Sequence, residues 1–153
     1  MSIIGIAADH GGFELKEYLK KQLEENGVSF QDFGAYKLDS TDDYPDMIAL
    51  LAEAISKGQV QKGIAVCGSG VGASITANKY EGVRAALISE TYSAHQGVEH
   101  DDMNLLCLGG RVAGQAIALE MTNAFIKANY IGGGRFQRRL DKIKALEHKN
   151  FKV

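Results

Sequence analysis

A chain of 153 residues fits one domain and can bury roughly two-thirds of the surface its unfolded form exposes. Its 17 basic and 19 acidic side chains leave a formal charge of −2, which offers no chain-wide electrostatic footprint for nucleic acid or an anionic membrane and favours a small partner. No segment approaches the ~20 apolar residues of a membrane span, and the opening MSIIGIAADHGG has neither a basic leader nor a signal-length apolar run, so a cytoplasmic protein is expected.

In chain order, IIGIAA predicts a first strand that ends in the polar, glycine-rich turn from Asp9 to Gly12. Leu15, Leu19 and Leu23 then fall on one face of a helix, with Asn26 and Gly27 as its stop signal. VSFQDF predicts the second strand. After it, GAYKLDSTDD, residues 34–43, is long for a connection in an α/β unit and is either a functional flap or a disordered excursion. Pro45 opens a second helix whose stripe is Ile48, Leu51, Ala52 and Ile55, and Gly58 follows its end. GIAVC predicts the third strand, and the glycines at 68, 70 and 72 lead from it into the helical ASITANK. VRAALI and NLLCLG predict the fourth and fifth strands. Ile117, Met121, Ala124, Phe125 and Ala128 mark a later helix, after which IGGGRFQRRLDKIKALEHK reads as a glycine hinge opening into a basic helix. Such apolar stripes are core.

This alternation predicts an α/β fold: a Rossmann-like three-layer α/β/α sandwich with a five-stranded parallel sheet and an extra C-terminal helix. Neither a repeat nor a second domain is visible, so residues 1–153 are expected to form one domain. With the common strand order 2-1-3-4-5, the switch point where ligands bind lies between the first and third strands. The turns Asp9–Gly12 and Cys67–Gly72 would therefore meet in one crevice.

Bare backbone N–H groups of Gly68, Gly70 and Gly72 at a helix start suit an anion or a developing oxyanion, and their positive field favours thiolate at Cys67. Cys67 is thus either a base or nucleophile, or simply the last buried residue of a strand closed by a tight turn. Cys107, amid apolar neighbours, reads as structural; with no CxxC pair and no HExxH pattern, neither a disulfide nor a metal site is expected. Arg135 and Arg139 lie one turn apart on the terminal helix, suited either to gripping a phosphate or to forming a solvated basic face. His10 is either an anion ligand or structural, and His100 by default belongs to the surface, as do His95 and His148. Gly68, Gly70 and Ala73 formally satisfy a dinucleotide fingerprint with Glu90 downstream, but that reading leaves Cys67 and the arginines unused. A cysteine phosphatase would require arginine where Ala73 stands. The third chemistry is proton transfer on a phosphorylated sugar, which needs a base, donors for an enediolate and a separate cationic grip.

The segments ADHGGFELK, DYPD, CGSGVGASITANK, RAAL, EHDDMN, LGGRV and GGRFQRR closely resemble the ribose/galactose isomerase family, of the ribose-5-phosphate isomerase B type, nearly end to end. The resemblance implies a cofactor-free aldose–ketose isomerase working through a cis-enediol, with no metal and a phosphorylated sugar as its partner. It implies that Cys67 is the base between C1 and C2 and Ser69 its hydroxyl helper. The backbone of Gly68, Ser69, Gly70, Val71 and Gly72 would form the enediolate hole. His100 would open the sugar ring, Asp9 and His10 would contact substrate, and Arg111, Arg135 and Arg139 would hold the phosphate. Some relatives lack the cysteine and carry glutamate at the position of Ala73, so Ala73 beside Cys67 points to thiol chemistry. One position departs from the pattern: the family places asparagine after the ring-opening histidine, and this chain has Asp101, an added negative charge beside an anionic substrate. Ribose 5-phosphate and ribulose 5-phosphate are the expected pair. A hexose 6-phosphate of allose or galactose type, or a non-catalytic sugar-phosphate or nucleotide-binding module, are the alternatives. Because His100 precedes the fifth strand while Cys67 ends the third, the two fall at opposite ends of the sheet. A homodimer with shared active sites is expected, in which His100 and Asp101 of one chain complete the site of the other, with a tetramer as a further assembly.

Overall fold

Short runs of Ile, Val, Leu and Ala separated by amphipathic segments form strands that helices can cover on both faces. The computed structural model describes residues 2–151. Its elements are β1 (Ile4–Ala8), α1 (Phe13–Glu25), β2 (Phe30–Asp32), α2 (Tyr44–Ser56), β3 (Lys62–Cys67), α3 (Val71–Ala77), β4 (Ala85–Leu87), α4 (Thr91–Asp101), β5 (Leu105–Gly109), α5 (Gln115–Lys127) and α6 (Gly134–Asn150). All strand pairs are parallel. Side chains alternate across the sheet: Ile4, Ile6, Ile64, Val66, Leu106 and Leu108 pack against α1, α4 and α5, whereas Ala7, Ala65, Cys67, Leu105 and Cys107 pack against α2 and α3. This is the three-layer fold that the pattern predicts.

The strand order corrects one expectation, because it runs β2-β1-β3-β5-β4 rather than 2-1-3-4-5. Burial explains the exchange. β5 is buried along its whole length and suits an inner place, whereas β4 is three residues long, only partly buried, and ends at the exposed Leu87. The switch point between β1 and β3 is unaffected, but the turn beside Cys67 is now the one after β5. On α5 the buried face is Ala118, Met121, Thr122 and Phe125, so Ile117 from the predicted stripe is displaced to the exposed side.

The 34–43 loop is ordered by polar contacts. Lys16, fully buried on α1, donates to both Asp32 carboxylate oxygens at 2.9 and 2.8 Å and to the Ala35 carbonyl at 2.6 Å, while Asp32 also accepts from the Gly34 N–H at 2.9 Å. Burial pushes the Asp32 carboxyl upward, but the bonds from Lys16 and Lys20 outweigh it and hold it below its usual value. That stabilisation is full above the ordinary carboxylate range and is lost as acid protonates Asp32. Lys16→Met is expected to cost about 3 kcal/mol and to lower Tm by roughly 6–12 °C, because it leaves a half-buried carboxylate short of donors. Lys20→Met, at a partly exposed position, should cost less than about 1 kcal/mol. Equal losses in thermal melts of the two variants would show that the buried ammonium has no special role.

Candidate active site

Three βα turns meet at the carboxyl edge of the sheet because β1, β3 and β5 are neighbours. The approach is backbone on backbone and needs glycine. A Cβ on Gly11 would lie 2.9 Å from the Gly68 nitrogen, one on Gly109 would lie 2.7 Å from the Ser69 carbonyl oxygen, and one on Gly110 would collide with the Gly11 carbonyl. The Gly110 N–H donates to the Cys67 carbonyl at 2.8 Å and the Arg111 N–H to the Gly68 carbonyl at 3.0 Å. Arg111 is therefore fixed beside the cysteine loop, a consequence of the observed strand order.

Cys67 is 4% exposed and its Sγ accepts the Gly70 N–H at 3.2 Å, a contact that strengthens when sulfur carries charge. Gly70 holds a left-handed φ of 82°, and a Cβ there would meet Leu87 and the Leu108 backbone, so only glycine allows the loop to fold back onto the thiol. The exposed Ser69 places its Oγ 3.3 Å from the Val71 N–H. The N–H groups of Val71, Gly72 and Ala73 open α3 and stand outside its ladder. Tyr44, at the start of α2, closes the other side, its Cζ 2.5 Å from where a Gly72 Cβ would be.

Asp9 is buried and accepts the Gly12 N–H at 3.1 Å. His10 stands next to it, its Nδ1 2.7 Å from Asp42 Oδ1. The bond to Asp42 raises the His10 pKa, burial opposes the rise, and the Asp9 charge adds to it. Asp9, His10, Cys67 to Gly72 and Arg111 thus occupy one region of a single chain. Glu90, the acidic residue of the dinucleotide fingerprint, instead caps α4 by accepting the Ser93 N–H at 3.0 Å.

His100, Asp101, Arg135 and Arg139 do not join them. His100 lies in the last turn of α4, close to where β5 begins, and the sheet separates that end from Cys67 by about 17 Å, the rise of five strand steps. There its Nδ1 is 2.8 Å from Gln96 Nε2, and its ring stacks on Phe136 of α6 at 4.3 Å between centroids. The Arg135 guanidinium lies 5.1 Å from the centroid of the same Phe136 ring, so histidine, phenylalanine and arginine form one cluster. Asp101 is exposed beside it, and Arg139 follows one turn along α6. The end of α4 is held by Arg84, which donates to the Asp102 carbonyl and carboxylate, each at 2.7 Å, while the Asp102 backbone turns left-handed at φ 52°.

Sequence reasoning did not single out Asp42, Phe136, Gln96 or the Arg84–Asp102 pair. Asp42 carried one signal, its place in an overlong loop; Phe136 carried another, its place between two arginines. Among the described residues no helix is long and apolar enough to cross a membrane.

Residues 4–143 match the family model described as Ribose/Galactose Isomerase. Ribose-5-phosphate isomerase B of Escherichia coli (strain K12) is 42% identical, with 97% of this chain and 99% of that protein aligned. D-erythrulose-4-phosphate isomerase of Pectobacterium atrosepticum is 36% identical over 97% of each. The crystal structure of ribose-5-phosphate isomerase B from Mycoplasma genitalium with bound ribulose-5-phosphate superposes with a TM-score of 0.90 at 38% identity, covering 96% of this chain and 97% of that one.

Proposed function

The chain belongs to the ribose/galactose isomerase family, and from that premise we propose that it interconverts ribose 5-phosphate and ribulose 5-phosphate through a cis-enediol. The observation that carries the reading is a nearly buried thiol seated against a glycine N–H where the turns bearing Asp9, His10 and Arg111 meet. Cys67 takes the proton from C2 of the aldose and returns it to C1. Ser69 moves protons between the sugar oxygens. Backbone N–H groups from Gly68 to Gly72 stabilise the enediolate as charge develops. Incubation of the purified protein with ribose 5-phosphate should yield ribulose 5-phosphate. Retained binding without turnover on any pentose or hexose phosphate would make it a binding module instead.

Ring opening and the Arg135 and Arg139 part of the phosphate grip come, on this reading, from a second copy of the chain, while Arg111 stays with Cys67. His100 and Asp101 lie at the far end of their own sheet, and the stack through Phe136 makes Arg135 travel with His100. A homodimer can bring that cluster to the partner's Cys67 loop, so each site draws on both chains.

Asp101 favours a second reading of the substrate, since the relatives include an isomerase of a four-carbon sugar phosphate as well as of ribose 5-phosphate. A carboxylate accepts hydrogen bonds from sugar hydroxyls but donates none, and it repels an enediolate and a phosphate. Asp101→Asn is expected to raise kcat/KM for ribose 5-phosphate by roughly three- to tenfold, the worth of relieving a screened like charge of about 1 kcal/mol. If it also depresses turnover of erythrulose, allose or galactose phosphates, Asp101 selects that other sugar. Unchanged kinetics on all of them would remove Asp101 from substrate contact.

A further inference from the structure

The 34–43 loop brings one carboxylate to the site that the reaction as described does not use. Asp42 Oδ1 accepts the His10 backbone N–H at 2.9 Å and lies 2.7 Å from Nδ1 of the same residue. We propose that Asp42 is a positioning residue for the reaction: it holds the His10 ring with Nδ1 turned onto the loop, and so presents Nε2 to the phosphorylated substrate. This rests on the isomerase reading above.

Two bonds from one oxygen to two atoms of one residue remove the freedom of both the side chain and the ring. The Asp42 side chain is 12% exposed, and its Oδ2 is buried with no hydrogen-bond partner among the described residues. A buried carboxylate oxygen without a donor is costly, so the ionised carboxylate depends on the imidazolium for compensation. Three carboxylates act on His10, Asp42 and Asp39 from the loop and Asp9 from the turn after β1, while the cations of this region are Arg111 beside Gly68 and Lys37 near Asp39. The resulting rise in its pKa keeps the ring charged into the range above an ordinary histidine, and the charge is lost only as pH climbs through the raised value. While the ring is charged, the pair shows its positive end forward, with the Nε2 N–H as donor and the carboxylate behind.

An amide cannot replace this arrangement. Oδ1 must also accept the His10 backbone N–H, so an asparagine oxygen in its place lets the ring lose its charge at lower pH, and the neutral ring keeps its proton on Nδ1 and only a lone pair on Nε2. Asp42→Asn should therefore lower the titration midpoint of His10, followed by NMR of the ring. KM for ribose 5-phosphate should stay near wild type at a pH below the variant's His10 midpoint and rise about tenfold at a pH between the variant and wild-type midpoints, with kcat changed less than about twofold, because a charge-assisted bond made equally in ground and transition states is lost. In a His10→Ala background the same substitution should add nothing to KM. An unchanged His10 titration overturns the proposal, as does an equal rise in KM in both backgrounds, which would mean that Asp42 only shapes the loop. If the wild type turns over no sugar phosphate, the isomerase reading fails by itself. The His10 titration, with calorimetric binding of ribose 5-phosphate to wild type and variant at both pH values, then still decides for or against Asp42.

Discussion

Cys67→Ala should cut turnover of ribose 5-phosphate by about 10³-fold or more, the usual worth of a positioned base, while phosphate affinity and the circular dichroism spectrum stay close to wild type. The substitution removes Sγ and nothing of the cationic grip. Cys107→Ala is the matched control. Its thiol sits on the same face of the sheet and is fully buried, and burial first, with the Cys67 charge second, pushes its pKa far above the range where a thiolate forms. A buried thiol of that kind packs like a small hydrophobe, so its loss should leave most activity and lower stability by about 1 kcal/mol. Steady-state kinetics and thermal melts on both variants separate chemistry from packing. Equal loss of activity in the two would mean that Cys67 is not the base.

The contrast between these cysteines shows where sequence reasoning reaches and where it stops. Both end or occupy apolar runs, yet one precedes three glycines and the other does not, and that local difference marks Cys67, and not Cys107, as a candidate base. The switch point was legible for the same reason, because strand periodicity and glycine spacing act within a few residues. The place of Arg111 next to Cys67 was not legible from that pattern. It depends on β5 rather than β4 lying beside β3, a choice made by burial over the whole sheet. Asp42 was hidden for a related reason. Its partner His10 is 32 positions away, and nothing local distinguishes a carboxylate that folds back onto a histidine from a solvated loop residue.

The separation of His100 from Cys67 leads to the sharpest test of the proposed shared site. Cys67→Ala and His100→Ala homodimers each carry the same defect in both sites and should be nearly inactive. After subunit exchange in equal amounts, half of the dimers are hybrids, and each hybrid has one site with both defects and one with neither. Activity should return to about a quarter of the wild-type value, as two-fold symmetry requires. The cluster of His100, Phe136 and Arg135 extends the test to the phosphate grip. Arg135→Ala should complement Cys67→Ala, since its defect lies in the partner's contribution. It should fail to complement His100→Ala, since both defects then fall in the same half of the site. Arg111→Ala should show the opposite pattern, because its backbone is bonded to the cysteine loop of its own chain. Mass spectrometry of tagged subunits verifies exchange. No recovery in the Cys67 and His100 mixture after verified exchange would refute a site built from two chains, and recovery with Arg135 paired to His100 would refute the proposed division of residues between them.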